Sequence, residues 1–232
     1  MILSVKNLSI SYGEKNIVKN INFDLNSGEI LAIVGESGSG KSTILKAIAG
    51  ILDDKAKITG EIFFEGREII KIDENERKKL AGESISMIFQ NSAASFCPIL
   101  TIGEQIYESV KSHKNCSYGE FLIKARKIIT NINLDESILN EYPFKLSGGM
   151  AQRAGILAAM ILEPKLILAD EPTSALDTVT QFKVVKELLK INSIYKNSII
   201  IVTHNLKLAK YMTDKIFVMN EDFYENFRSE TY

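Results

Sequence analysis

Residues 35–42 read GESGSGKS and lie between an apolar run, Ile30 to Val34, and a stretch in which Ile44, Leu45, Ala47 and Ile48 recur at helical spacing. Nothing else in the 232-residue chain restricts its fold so tightly. A short continuous apolar run is the pattern of a strand buried on both faces, as in a parallel sheet covered by helices. The glycines let the backbone curl until successive N–H groups point inward, and the helix that follows adds the positive end of its dipole. A strand, loop and helix in this order form a cradle for phosphate groups. Lys41 brings a flexible positive charge to the β- and γ-phosphates, and Ser42 a hydroxyl suited to Mg²⁺. The plainer reading, a glycine-rich turn, is weakened by the correct elements on either side.

The rest of the chain fits an α/β fold. Before residue 35 the pattern is one of strands, with Val5, Leu8 and Ile10, then Ile17, Val18, Ile21, Phe23 and Leu25, separated by turn residues around Gly13 and Gly28. Ile58, Ile62 and Phe64 precede a turn at Glu65-Gly66 and predict a second hairpin. A charged helix from Glu74 and a strand from Ile85 follow. From residue 91 to 162 helical spacing takes over: Ile102, Ile106 and Val110, then Phe121, Ala125, Ile128 and Ile129. Buried strands return at Leu166 and Ser198 with a helix between them, and Ile216 to Met219 reads as the last strand. The expectation is a P-loop NTPase core, a mainly parallel sheet with helices on both faces, over 1–90 and 163–220. An N-terminal antiparallel β-subdomain belongs to that unit. A helical subdomain at 91–162 is inserted into it, and 221–232 form a short tail on what is otherwise one domain, 1–232.

Bulk properties exclude several classes. A formal net charge of −1 gives no support to nucleic-acid binding. Two cysteines, Cys97 and Cys116, form no disulfide framework and fit a reducing cytosol. The longest apolar stretch, 154–162, is too short to cross a bilayer, and the N-terminus lacks a basic start and a cleavage site. His113 and Cys116 stand at H-x-x-C spacing, but with no second pair of ligands they read as structural.

A phosphate loop needs an acid for the metal and a group to handle the attacking water. The stretch LILADE, 166–171, supplies both at the end of a buried strand, the edge where ligands bind in such sheets. Asp170 is placed for Mg²⁺, and Glu171 is the candidate base or water-orienting residue. His204 closes another apolar strand and reads as a γ-phosphate sensor. Gln90 ends the strand from Ile85, where its amide can touch Mg²⁺ or the attacking water. Residues 146–150, LSGGM, open an apolar helix and look like a second place where backbone amides meet an anion. One small chain thus offers two anion sites.

Together these motifs resemble the ATP-binding subunits of ABC transporters, over about residues 2–220. The resemblance identifies 35–42 as Walker A, Gln90 as the Q-loop glutamine, LSGGM as the signature, 166–170 with Glu171 as Walker B, 174–177 (SALD) as the D-loop and His204 as the switch histidine. It implies ATP and Mg²⁺ as cofactors, with Tyr12 stacking on adenine. Gly35, Glu36, Ser37, Gly38, Ser39, Gly40, Lys41, Ser42 and Thr43 would hold the nucleotide together with Gln90 and Asp170. Ser42, Gln90 and Asp170 would face the metal, and Glu171, His204 and Gln90 would be catalytic. Ser147, Gly148 and Gly149 would cap the nucleotide of a neighbouring subunit, and Asp177 of the D-loop would also bind nucleotide.

The stretch 88–106 is similar to its counterpart in peptide- and nickel-importing systems. Ser92 stands where that stretch has proline, Cys97 where it has asparagine, and Asn205 where an aspartate often follows the switch histidine. The chain ends sooner than many peptide-type subunits and looks more like the nickel type. The resemblance implies an ATPase that energises uptake of nickel or of di- and oligopeptides from the cytoplasmic face of the membrane. Its partners would be a second ABC ATPase subunit (heterodimer, with a homodimer also compatible), two transmembrane permease subunits and an extracytoplasmic substrate-binding protein, with no nucleic acid. An exporter ATPase, a soluble ABC protein acting on ribosomes or DNA, and a P-loop kinase or GTPase are the competing classes.

Overall fold

The computed structural model describes residues 1–174 and 176–219 and the backbone of the strand Tyr224–Arg228. In chain order the elements are β1 (Leu3–Tyr12), β2 (Lys15–Leu25), β3 (Ile30–Gly35), α1 (Lys41–Ala49), β4 (Ala56–Phe64), β5 (Arg67–Glu68), α2 (Glu74–Glu83) and β6 (Ile85–Ile88). They continue with α3 (Ile102–His113), α4 (Tyr118–Asn131), α5 (Gly148–Met160), β7 (Leu166–Asp170), α6 (Thr178–Tyr195), β8 (Ser198–Thr203), α7 (Leu206–Met212), β9 (Lys215–Met219) and β10 (Tyr224–Arg228).

Six strands form one sheet in the order β10-β9-β3-β8-β7-β6, parallel except for β10. The centre is β3, β8 and β7, where nearly every side chain is buried. Because side chains alternate along a strand, the two faces gather different partners. Leu31, Ile33, Leu168, Ile200 and Val202 pack with Ile44, Leu45 and Ile48 of α1 and with the antiparallel sheet β2-β1-β4-β5. Ile167, Ala169, Ile199 and Ile201 pack on the opposite face with α5 and α6. Ala32 and Val34, also on that face, meet Ala209 of α7. The expected α/β fold with helices on both faces is what forms.

The segment 91–162 has no core of its own. Ile102, Ile106 and Val110 of α3 and Phe121, Ala125 and Ile128 of α4 belong to the same apolar cluster as the sheet residues, joined through α5. Both α3 and α4 start with a reciprocal capping box, Thr101 with Glu104 and Ser117 with Glu120. Replacing Thr101 by alanine removes the acceptor for the Glu104 N–H. It is expected to cost about 1 kcal/mol of stability, read as a lower urea midpoint at unchanged slope.

One expectation needs correction. Ile216 to Met219 is not the last strand, because Tyr224–Arg228 returns antiparallel along β9. Its sequence, YENFR, holds no aliphatic residue and no two-residue alternation, so it carries little strand signal. Between β8 and β9 the chain also forms α7, too short for its period to stand out. The expected tail, 221–232, therefore carries a strand at 224–228, and residues 220–223 and 229–232 lie outside the described residues.

Candidate functional site

The loop after β3 curls as the glycines allow. Gly38 and Gly40 have φ of 84° and 94°, a region that side chains rarely enter. A Cβ on Gly40 would also lie 2.9 Å from the Ile17 carbonyl, and one on Gly35 2.6 Å from that of Met219. The loop is therefore wedged between β2 and β9. Lys41 is 5% exposed and its Nζ donates to the carbonyls of Gly35 (2.9 Å) and Glu36 (2.6 Å). Burial pushes its ammonium pKa down while Glu171 and Asp170 pull it back up. The ammonium holds its own loop and keeps a third proton for an incoming anion. Ser39 Oγ is buried in the same loop without a partner, a polar group left for something outside the chain to satisfy.

At the end of β7, next to β8, Asp170 is 7% exposed and accepts from Ser42 Oγ at 2.7 Å. Burial raises its pKa, the Ser42 hydrogen bond works against that, and Glu171 adds to the rise. Glu171 has φ of 43°, a left-handed backbone that costs a side-chain-bearing residue about 1–2 kcal/mol. Its N–H donates to the Val202 carbonyl, and this bond across to β8 holds the turn. Glu171 Oε2 is 3.4 Å from His204 Nδ1 and 3.5 Å from Gln90 Nε2. Gln90 also reaches Ser174 Oγ at 3.3 Å, and that hydroxyl donates back to the Glu171 carbonyl. Glu171, Thr173, Ser174, Gln181, Thr203, His204 and Asn205 line a cavity of about 40 Å³, room for a water beside the carboxylate.

The predicted residues thus fall into two groups. Lys41, Ser42, Asp170, Glu171, Gln90 and His204 come together at the ends of the parallel strands. Glu36, Ser37 and Gly38 are exposed on the rim of the loop, and Thr43 lies in the first turn of α1. Tyr12 ends β1, partly buried against the antiparallel sheet and paired with Lys15 and Ala56. Its hairpin approaches the loop through the Ile17–Gly40 contact.

The second group is Ser147, Gly148, Gly149 and Asp177. Ser147 caps α5 by accepting from the Met150 N–H, and Gly149 lies so close to Thr180 that a Cβ there would be 2.9 Å from its methyl. Asp177 caps α6, accepting from Val179, from the Thr180 N–H and from the Thr180 hydroxyl, and that hydroxyl chiefly lowers its pKa. Among the described residues no hydrogen bond joins 147–149 to 35–43.

Thr203 and Gln181 line the cavity beside Glu171 although motif reading gave them no role, and Ser174 of the D-loop lines it too. Thr203 was legible as the polar end of an apolar strand, whereas Gln181 lies on a helix with no local signal. Asn205 caps α7 through Oδ1 to the Leu208 N–H, as an aspartate would. His113 lies 4.0 Å from Glu83, and the Cys116 thiol turns to the Ser117 carbonyl.

A family model described as "ABC transporter" matches residues 18–174. The metal-staphylopine import system ATP-binding protein CntD of Staphylococcus aureus is 38% identical over 222 residues, covering 94% of this chain and 82% of that protein. The oligopeptide transport ATP-binding protein OppD of Escherichia coli is 39% identical over 94% of this chain, which spans 66% of its length. Among solved structures, the dimeric post-hydrolysis state of the ATP-binding cassette MJ0796 bound to ADP and Pi superposes with a TM-score of 0.87. It is 29% identical, and the match covers 100% of both chains.

Proposed function

Because the chain belongs to the ABC transporter family, we propose that it is the ATP-binding and ATP-hydrolysing subunit of an importer for nickel, another metal complex, or short peptides. The observation that carries this reading is the convergence of Lys41, Ser42, Asp170, Glu171 and His204 on one edge of the sheet, apart from Ser147 at the start of α5.

In the proposed mechanism, the loop amides and Lys41 bind the phosphates of ATP, Lys41 through the proton that the Gly35 and Glu36 carbonyls do not take. Ser42 and Asp170 fit Mg²⁺, since a buried carboxylate held above its ordinary pKa range beside a hydroxyl is short of positive charge. Mg²⁺ when bound neutralises charge on the β- and γ-phosphates. Glu171 orients a water and takes its proton, while His204 and Gln90 fix the carboxylate from two sides. Ser147, Gly148 and Gly149 close on the nucleotide of a second ATPase subunit, a different chain in the proposed importer. Hydrolysis then reopens the pair.

An apolar groove of about 310 Å³, bounded by Phe89, Phe96, Ala158 and Ala159, opens beside the segment that follows Gln90. We assign it to the permease subunits, with residues 91–162 as the unit that carries their movement and the membrane's cytoplasmic face as its location. Ile99 is 79% exposed in the loop beyond Phe96. Ile99→Glu is expected to lower recovery of permease subunits with the tagged chain by about tenfold, as losing a buried apolar anchor does, and to leave ATP binding unchanged.

The test of the overall reading is isolation of the subunit from its native membrane, identification of the chains that accompany it, and titration of any accompanying binding protein with Ni²⁺ and with short peptides. Permease subunits and a saturable ligand support the reading. Recovery with ribosomes and without membrane subunits overturns it.

A further inference from the structure

We propose that Ser92 and Gln152 form a positioning latch that fixes the segment after Gln90 to the helix opened by Ser147. Through it, the state of the apolar groove is transmitted to the half-site that closes on the second subunit. The inference rests on the reading of the chain as a permease-coupled ATPase.

Ser92 and Gln152 are both buried, on a 3-10 turn (Ser92–Ser95) and on the second turn of α5. Ser92 Oγ lies 3.2 Å from the Phe89 carbonyl and 3.1 Å from Gln152 Oε1, while Gln152 Nε2 is buried without a partner. One hydroxyl proton cannot serve two acceptors. Turning the Gln152 amide over removes the conflict at Ser92: Nε2 donates to Ser92 Oγ, the hydroxyl proton goes to the Phe89 carbonyl, and the amide oxygen takes the buried position that has no partner. The result is a directional chain from α5 to the residue beside Gln90.

The backbone is shaped to receive it. One turn after Gln152, a Cβ on Gly155 would lie 2.4 Å from Ser92 Oγ, so Ser92 rests on bare helix. Arg153, next in sequence, grips the other side of α5 through Glu187 of α6 at 3.5 Å. Ser92 and Gly155 also line the groove with Phe89 and Phe96, so whatever fills it presses on the latch.

An apolar pair would anchor the turn without the cost of burying an amide and a hydroxyl. What the polar pair adds is a single register between turn and helix. A proline at position 92 could not make this bond.

The test compares ATP hydrolysis by the permease-bound complex in lipid nanodiscs with that of the isolated subunit. The variants are Ser92→Ala, Gln152→Leu and the double substitution. Ser92→Pro serves as a second route, since the Ser92 N–H makes no hydrogen bond among the described residues and proline suits the first position of such a turn. The complex-to-isolated rate ratio is expected to fall about three- to tenfold in each single variant, with KM for ATP within about twofold and no further loss in the double. A wild-type ratio in Ser92→Ala and Ser92→Pro, or additive losses in the double, overturns the latch while leaving the transporter reading intact. A wild-type complex that hydrolyses no faster than the isolated subunit overturns the transporter reading, and the latch with it.

Discussion

Glu171→Gln is expected to retain ATP and to lower its hydrolysis by about a factor of 10² to 10⁴, the loss that follows removal of a positioned general base. The substitution keeps size, shape and one oxygen, so the geometry around it should persist. Both neighbours still have a group to meet, His204 Nδ1 at 3.4 Å and Gln90 Nε2 at 3.5 Å. The ability to take a proton from water is what disappears. The backbone at φ 43° is no harder for glutamine than for glutamate, so thermal stability should stay near wild type. Affinity for a fluorescent ATP analogue should be unchanged or higher, since one negative charge beside the phosphates is gone. Phosphate release under single-turnover conditions, with the partner subunit present, checks the chemical step. Near-normal release would remove Glu171 from the role of base. A parallel loss of nucleotide binding would make it a structural residue of the loop instead.

The parts of this site that could be read from sequence share a physical property: their chemistry is written in consecutive residues. ILAIV with the GESGSGKS that follows it, LILADE, and the stretch that ends at His204 each hold an apolar run and the polar group at its end, so local pattern fixes both element and site. The latch at Ser92 was not legible in this way. Its parts lie 60 residues apart, and Gln152 sits in an apolar helix where only burial shows that the amide needs a partner. Gln181 was missed for the same reason, and the contact of the D-loop's Ser174 with Gln90 was not legible, since both depend on how the turn after β7 folds against α6. The edge strand β10 was lost for a different reason. A strand at the end of the sheet, YENFR, is held by backbone pairing to β9, which composition does not record.

Substitution of Ser147 by arginine is expected to separate the two anion sites of the chain. Ser147 stands at the start of α5, without a hydrogen bond to residues 35–43, so the isolated variant should bind ATP at its own loop as the wild type does. In the proposed arrangement an arginine there obstructs the surface that closes on another subunit's nucleotide, and self-paired chains should lose hydrolysis almost completely. Glu171→Gln fails for the opposite reason, at its own loop. Mixing the two inactive variants should then restore activity, because a mixed pair contains one intact composite site: the loop and Glu171 of one chain with Ser147 of the other. With random pairing of a symmetric dimer the recovery approaches about a quarter of the wild-type rate. If a chain used its own Ser147, every pairing would remain inactive, so an inert mixture of folded, dimerising variants rejects the composite site. The same variant distinguishes the two kinds of assembly. Beside a different ATPase subunit, Ser147→Arg disables only the partner's site and spares the one on this chain's loop. Partial rather than near-total loss in the assembled complex therefore identifies a heterodimer.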